Sequence, residues 1–505
     1  MEGGNNMKWQ KRYIWVVGLL VITLAFGGFR FFQICILKHN EYTKEAEAQR
    51  VYGVSLDAVR GNIFDRNMIP FTNRTEKIML YQMPNSSEYT IHTTVRYDGN
   101  SLGNYVTGYL NGDGDGVTGV EAFFNEQLKT DQAPQIVMVR DAKQHPIAGF
   151  GYTIKMPEEE PFHVKLTLDY SLQAVCEQVF SNYGIPGAFV MQDTKTGDIL
   201  AMGSYPTYEH GNIAAYLNSS GGELTNRATS AYNLGSVYKM VVAACALEES
   251  LDLDYSYYCA GVEDVDGLAF RCHTYEKGGH GIVSLKQAFA QSCNTYFIDL
   301  GLQLGMERLV RYGSLFGFGE KTGLEHQGIA EVTGNLPNLN GIINNRAIAN
   351  LSIGQGELLA TPLQVTNAMT AVANGGVLLQ PNIVDYIMKG DGTVVEWVKR
   401  ESANRILKES TAAVLAELLE EVTISGTASG AISATGLSGV CGKTGSAETG
   451  RYDTGGKQIV HSWFSGYFSN GDAQYTLTVF LENGVTLGQS ATKIFTEIAS
   501  LTSTI

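Results

Sequence analysis

From Tyr13 to Phe29 the chain carries no charged residue: Tyr-Ile-Trp-Val-Val-Gly-Leu-Leu-Val-Ile-Thr-Leu-Ala-Phe-Gly-Gly-Phe. Arg30 interrupts, and Phe31 to Leu37 continues largely apolar. A bilayer-spanning helix needs roughly 17–25 such residues. The run therefore predicts a membrane anchor, with Arg30 snorkelling to the far interface. Lys8, Lys11 and Arg12 precede it against the single acid Glu2, which predicts a cytoplasmic N-terminus. The rival is a cleaved signal peptide. No small-x-small cleavage site stands out, so an uncleaved anchor is expected and everything past about Leu37 should fold outside the cytoplasm.

A chain of 505 residues has room for two or three domains. With 44% hydrophobic and 17% charged residues it suits globular folds and not a disordered chain. A net charge of −15 argues against a nucleic-acid partner. The seven cysteines are scattered, with no dense disulfide framework and no close-spaced Cys/His set of zinc type. Asn111 to Gly116 invites a calcium-loop reading. The twelfth position from Asn111 is Ala122, however, and Glu121 is one short, so a Gly/Asp turn is expected.

Val59 to Asn67 sets Arg60, Asp65 and Arg66 among turn formers, which predicts a structural salt-bridge corner and not catalysis. From Ile78 to Glu160 short strands (Ile78–Tyr81, Tyr89–Ile91, Gln135–Val139) alternate with helical pieces. The charged, proline-bounded Pro157–Pro161 reads as a linker. The expected division is 1–12 cytoplasmic tail, 13–37 anchor, 38–160 membrane-proximal domain and 161–505 main domain. In the last, Asp169 caps a helix to about Phe180, and Gly187–Gln192 and Ile199–Ser204 are strands around a hairpin turn. A less regular insert with Cys259 and Cys272 comes next, then helices near Leu285–Ser292, Asn294–Leu304 and Pro362–Asn374, the last opened by Thr361 and Pro362. Strands at Gly439–Lys443, Trp463–Phe468 and Tyr475–Leu481 and a helix from about Thr492 close the chain. The layout is α+β, one sheet interrupted by a helical lobe.

Three short motifs carry chemistry. Ser236-Val237-Tyr238-Lys239 runs into the Ala-rich helix Met240–Leu247, with Gly235 allowing a sharp turn before it. Residues three apart share a helix face, so Lys239 can lie beside the Ser236 hydroxyl: nucleophile, base and helix dipole in one turn. Alone, this is equally an N-cap serine before a surface lysine. Ser292-Cys293-Asn294 lies at a junction between two helices, and Lys443-Thr444-Gly445-Ser446 on a strand. The three in this order, on a helix, a loop and an edge strand, are the serine acyl-transfer signature.

The chain resembles the class B penicillin-binding proteins, membrane-anchored D,D-transpeptidases of peptidoglycan synthesis. Arg60-Gly61 with Asp65-Arg66-Asn67, Gly116 to Glu121, Leu166–Asp169 with Leu172-Gln173, and Thr196–Met202 are similar to stretches of that family. So are Gly354-Gln355-Gly356 with Thr361-Pro362, and His461–Phe464. The resemblance implies a penicillin-binding/β-lactamase-like transpeptidase fold, a mixed sheet with flanking helices and a helical lobe, behind the anchor and a small α+β pedestal of dimerisation type. It implies substrates that are stem peptides ending in D-Ala-D-Ala, with β-lactams as mimics. Ser236 would be the nucleophile, Lys239 the base and Ser292 a proton relay. Asn294, Lys443, Thr444 and Gly445 would bind substrate, and Ser446 would share the oxyanion hole with Ser236. The implied partner is a multi-span glycosyltransferase of the elongation, division and sporulation class, and no metal or organic cofactor is implied.

Three departures leave the acylation rate open: Leu234 and Val237 flank Gly235-Ser236 where the family usually has proline and threonine, and Met68 replaces a common glycine. D,D-carboxypeptidases and β-lactamases share the motifs but need neither the Arg60–Asn67 stretch nor a pedestal. A β-lactam sensor would need an intracellular effector. Cys293 reads as a small packing residue, Trp463 as packing beneath the site, and His280 and His461 as structural hydrogen-bonders. A Cys259–Cys272 disulfide is allowed outside the cytoplasm.

Overall fold

The computed structural model describes residues 3–504 except 57–58, 83–87, 131–132, 142, 144–146, 148–151, 158, 253, 342 and 401–402, so Glu158 of the expected linker lies outside the described residues. The chain forms two compact units. The first holds Met1–Val59, Ile78–His92 and Asp131–Glu159, and the second holds Arg60–Lys77, Thr93–Thr130 and Glu160–Ile505.

In the first unit a helix runs from Gly3 to Phe32 and continues through a π-helical turn, Gln33–Leu37, into the helix His39–Arg50. Trp9–Leu37 is long and apolar enough to cross a membrane. Trp15, Leu19, Leu24 and Phe31 point outward on several sides of it, as a helix that is apolar all round does when lipid is its surroundings. A three-stranded antiparallel sheet comes next, with the anticipated strand Gln135–Val139 between Val51–Ser55 and Tyr152–Lys155. The strands expected near Ile78 and Tyr89 extend over Thr75–Gln82 and Glu88–Val95.

The second unit carries, in chain order, helix α1 (Tyr170–Tyr183), strands β1 (Gly187–Asp193) and β2 (Ile199–Tyr205), helices α2 (Lys239–Glu248), α3 (Leu285–Ala290), α4 (Asn294–Leu304), α5 (Pro362–Ala373) and α6 (Glu409–Ile424), strands β3 (Cys441–Tyr452), β4 (Gln458–Asn470) and β5 (Ala473–Leu481), and helix α7 (Ala491–Thr502). The five strands form one antiparallel sheet in the order β3-β4-β5-β1-β2, which leaves β3 on an edge. The helical lobe is inserted between β2 and β3. Almost every residue of β1 and β2 is buried, because helices cover both faces. Side chains alternate across a strand. Phe189 accordingly meets Phe180 of α1 at 5.1 Å, while Gln192 turns the other way to bond Asn367 and Thr370 of α5. Phe464 likewise faces Phe495 of α7 at 4.6 Å, and its neighbour Trp463 faces Phe480 and the site.

Local chemistry sets the helix starts. Asp169 accepts from the amides of Ser171 and Leu172 at the head of α1. Thr361 and Gln364 form a capping box on α5 with Pro362 in the first turn, and Ser284 and Gln287 do the same on α3.

The Arg60–Asn67 corner is built as expected and is tied to a second stretch. Arg60 is buried with its Nη2 2.7 Å from Glu121 Oε2, and Arg96 takes the other carboxylate oxygen at 2.6 Å. Asp65 Oδ1 accepts from the amides of Asn67 and Ile69, and its Oδ2 from Tyr170. Ile63–Phe64 pairs in parallel with His163–Leu166 in a second, four-stranded sheet. This pairing is why Arg60–Lys77 packs with the large unit. Asn111 Oδ1 accepts from the amides of Asp113 and Asp115, the turn expected in place of a calcium loop.

Candidate active site

The turn that carries Ser236 is held from three sides. Gly235–Tyr238 is a single 3₁₀ turn that runs straight into α2. The amide of Gly235 donates to Gly354 O at 2.8 Å, and the indole Nε1 of Trp463 donates to Asn233 O at 3.0 Å. Gly235 sits at φ 63°, and a Cβ there would lie 2.4 Å from Ser446 O. Gly354, at φ 73°, would put a Cβ 1.9 Å from Gly235 O. No side chain fits either position. Ser236 itself is half-buried, and its hydroxyl has no hydrogen-bond partner among the described residues.

Lys239 is fully buried one helical turn on. Its amine makes no hydrogen bond to the Ser236 hydroxyl among the described residues. The three donors of the ammonium go instead to Ser292 O at 2.7 Å, Ser292 Oγ at 3.2 Å and Asn294 Oδ1 at 2.7 Å. A buried ammonium needs every donor matched, and the 292–294 junction supplies three acceptors. Burial pushes the Lys239 pKa down to about 8, while the Cys293 and Cys272 sulfurs pull the other way. Ser292 adopts φ 54°, a left-handed conformation that serine rarely takes. Asn294 spans the gap, donating from Nδ2 to Arg271 O at 2.8 Å.

The third motif approaches along β3. Gly445 lets this edge strand close on the turn, since a Cβ there would meet Val237 Cγ2 at 2.9 Å and Leu234 O at 3.0 Å. Lys443 is fully buried, donates to Thr444 O at 3.2 Å and lies 5.7 Å from the Phe289 ring centroid. Its pKa is held well below the usual range, first by burial and then by the charge of Lys239. Thr444 is half-buried and Ser446 exposed at the strand edge. The motifs are therefore brought together: the lysine of the first on the second, and the strand of the third against the turn of the first. A free hydroxyl, two buried amines with lowered pKa and an open strand edge can support acyl transfer to serine.

Residues 187–500 match the family described as the penicillin binding protein transpeptidase domain. The chain belongs to the class B penicillin-binding proteins. It is 33% identical over 381 residues to stage V sporulation protein D of Bacillus subtilis, covering 71% of this chain and 55% of that protein. It is 29% identical over 368 residues to the peptidoglycan D,D-transpeptidase MrdA of Acinetobacter baumannii, covering 65% and 52%. The chain thus spans about half the length of the curated relatives it matches. Among solved structures, penicillin binding protein 3 from Mycobacterium tuberculosis complexed with aztreonam superposes with a TM-score of 0.68 at 25% identity, covering 90% of this chain and 97% of that one. The expected α+β transpeptidase fold is the fold observed.

This penicillin-binding protein also has site residues that sequence reasoning missed. Thr427, in the turn after α6, has its hydroxyl 2.6 Å from that of Thr444. Nothing local in the sequence marks it. Among the departures, Val237 fills the space against Gly445. His461 is structural, as expected: its Nδ1 accepts from the Asn483 amide at 3.3 Å and its ring packs on Tyr232 and Phe480. The cysteines, expected to be scattered, are not all scattered in space: Cys259, Cys272, Cys293 and His280 bring their ligand atoms within 4.8 Å of one another. Their spacing hides the cluster, since two short ribbons and a 3₁₀ turn fold back between them. Cys259 and Cys272, for which a disulfide was allowed, are free thiols.

Proposed function

We propose that the chain is a peptidoglycan D,D-transpeptidase. Ser236 Oγ attacks the penultimate carbonyl of a stem peptide ending in D-Ala-D-Ala and forms an ester, and the terminal D-Ala leaves as its amine. An amine of a neighbouring stem then attacks the ester, which forms the cross-link and returns the proton to Ser236. Lys239 takes the serine proton. A pKa of about 8 leaves a useful neutral fraction at physiological pH and a free lone pair once the proton is gone. Ser292, 3.2 Å from the Lys239 amine, relays a proton to the leaving amine. Asn294 holds the substrate amide. Lys443 and Thr444 take the terminal carboxylate, whose charge would restore a full positive charge to the buried Lys443. Gly445 keeps the strand close, and the amides of Ser236 and Ser446 form the oxyanion hole, where losing one donor typically costs about 10²–10³ in rate.

The single observation that carries the reading is Lys239, buried one turn from an unpartnered serine hydroxyl and bonded to both Ser292 and Asn294. The basic residues before the apolar run support a cytoplasmic tail, 1–12, an anchor, 13–37, and catalysis outside. A multi-span glycosyltransferase would supply the glycan strands.

The test is fluorescent-penicillin labelling of the full chain in detergent, native against Ser236→Ala, with the adduct located by mass spectrometry. A stable adduct on Ser236, lost in the variant, is expected. Incubation with a stem-peptide donor and an amine acceptor should then give cross-linked product. An adduct elsewhere, or hydrolysis of donor in place of transfer, overturns the proposal.

A further inference from the structure

Three of the seven cysteines and one histidine close on a single point directly behind the Ser292–Asn294 junction. The sulfurs of Cys259 and Cys272 are 3.7 Å apart, those of Cys272 and Cys293 are 3.8 Å apart, and Cys259 Sγ lies 3.4 Å from His280 Nδ1. Zinc–sulfur bonds of about 2.3 Å and zinc–nitrogen bonds of about 2.0–2.1 Å in a tetrahedron require ligand–ligand edges of about 3.8 Å between sulfurs and about 3.5 Å from sulfur to nitrogen. Three of the six edges of the cluster match these lengths, and all four ligand atoms lie within 4.8 Å of one another. A disulfide needs sulfurs at about 2.05 Å, and with three thiols it would leave one over.

We propose that Cys259, Cys272, His280 and Cys293 form a closed Cys₃His site for a zinc-class divalent ion. Binding would release the protons of the three thiols and leave the imidazole neutral, bound through Nδ1. The surroundings suit thiolates. The amide of Asn294 points at Cys272 Sγ from 3.1 Å, and the Thr295 hydroxyl lies 3.4 Å from Cys293 Sγ. Such donors to metal-bound sulfur tune and orient a site.

The local fold also needs a staple. Residues 257–283 make only two short antiparallel ribbons and a 3₁₀ turn. Their buried apolar side chains, apart from the two cysteines, are Val265, Phe270 and Val283. A small framework of this kind gains most from a metal. Gly279 permits the fold-back, since a Cβ there would lie 2.2 Å from Cys259 O.

The site reaches the chemistry through Cys293, the middle residue of the junction. Fixing its sulfur fixes Ser292 at φ 54° on one side and Asn294 on the other, and Ser292 O and Asn294 Oδ1 are the groups that receive Lys239. The ligands are thus positioning residues. The metal site itself does not depend on the reading of Ser236 as nucleophile.

The test is metal analysis of the full chain, purified in detergent without chelator. About one zinc per chain is expected, retained in Cys35→Ser and lost in the double variant Cys259→Ser/Cys272→Ser. Should the double variant not fold, the native chain stripped under reductant and titrated with cobalt(II) decides. Thiolate-to-cobalt charge-transfer absorption saturating at one equivalent is expected. A folded native chain that takes up neither ion, or peptide mapping that finds a Cys259–Cys272 disulfide, overturns the site. Stripping should also slow penicillin acylation on the order of tenfold, reversed by zinc. An unchanged rate in a stripped chain overturns the positioning role.

Discussion

The wall of the cleft that carries Lys443 and the wall that carries Ser292 and Asn294 meet the same serine turn, yet they are held by different forces. The first is the edge of a five-stranded sheet. It closes on the turn chiefly by close approach, Gly445 against Leu234 and Val237, Gly235 against Ser446, and Gly354 against Gly235, with the Trp463 indole and the Gly235 amide each adding one hydrogen bond. The second is a junction between two helices, with one residue in a rarely used conformation. It is placed by directed bonds: three from Lys239, one from Asn294 to Arg271, and the thiol cluster behind Cys293. Steric walls tolerate changes of charge and fail on added atoms. Polar walls tolerate small changes of volume and fail when a donor or acceptor is lost.

The largest effect should come from adding one carbon to the steric wall. In Gly354→Ala the new Cβ would start 1.9 Å from Gly235 O at a φ of 73°. The backbone itself must move, because no flexible side chain can yield there. Left-handed alanine alone costs about 1–3 kcal/mol. A shift of about 1 Å at a reacting group costs on the order of 10²-fold in rate. Penicillin acylation should fall at least that far, with a lower melting temperature. Near-native labelling would mean that the turn is not positioned by this contact.

The polar wall should show itself in pH. Only neutral Lys239 can accept a proton, and its pKa lies at about 8. Below that value the neutral fraction falls about tenfold per pH unit, so acylation should rise about tenfold from pH 6 to 7 and level off above about 8. Asn294 Oδ1 accepts from the ammonium and so favours the charged form. Asn294→Ala should therefore move the profile to lower pH while slowing the plateau. The acylation rate constant measured across pH for both chains checks this. A flat native profile would remove Lys239 from the base role.

The steric wall was also the more legible of the two. Strands, caps and the three motifs follow from local residues: Thr361-Pro362 at α5, Asp169 at α1, and the hairpin turn between β1 and β2. The polar wall depends on contacts between distant segments. The motif spacing said that Lys239 could reach Ser236, and it could not say that Ser292 and Asn294 would satisfy its donors first. The thiol cluster was invisible because its ligands come from 259, 272, 280 and 293, with ribbons folded back between them. The pairing of Ile63–Phe64 with His163–Leu166 was hidden for the same reason. Two-residue strands have no periodicity to read.

Thr427 touches both walls and should give the smallest effect. Its amide donates to Ala290 O at 3.1 Å, at the end of α3 just before Ser292. Its hydroxyl meets that of Thr444 on β3 at 2.6 Å. Gly426 allows the approach, since a Cβ there would lie 2.3 Å from Ala290 O. In Thr427→Val the amide and the volume stay, and the hydroxyl is lost. Thr427 is exposed, so water can replace the missing bond, and the cost should be about 0.5–1.5 kcal/mol at most. What changes is the orientation of the Thr444 hydroxyl, which on our reading binds the carboxylate. Apparent affinity for a stem-peptide donor should weaken by a few fold, with turnover at saturation little changed. A loss confined to turnover would mean that Thr427 acts on the Ser292 side through Ala290, and that the two walls are coupled at this turn.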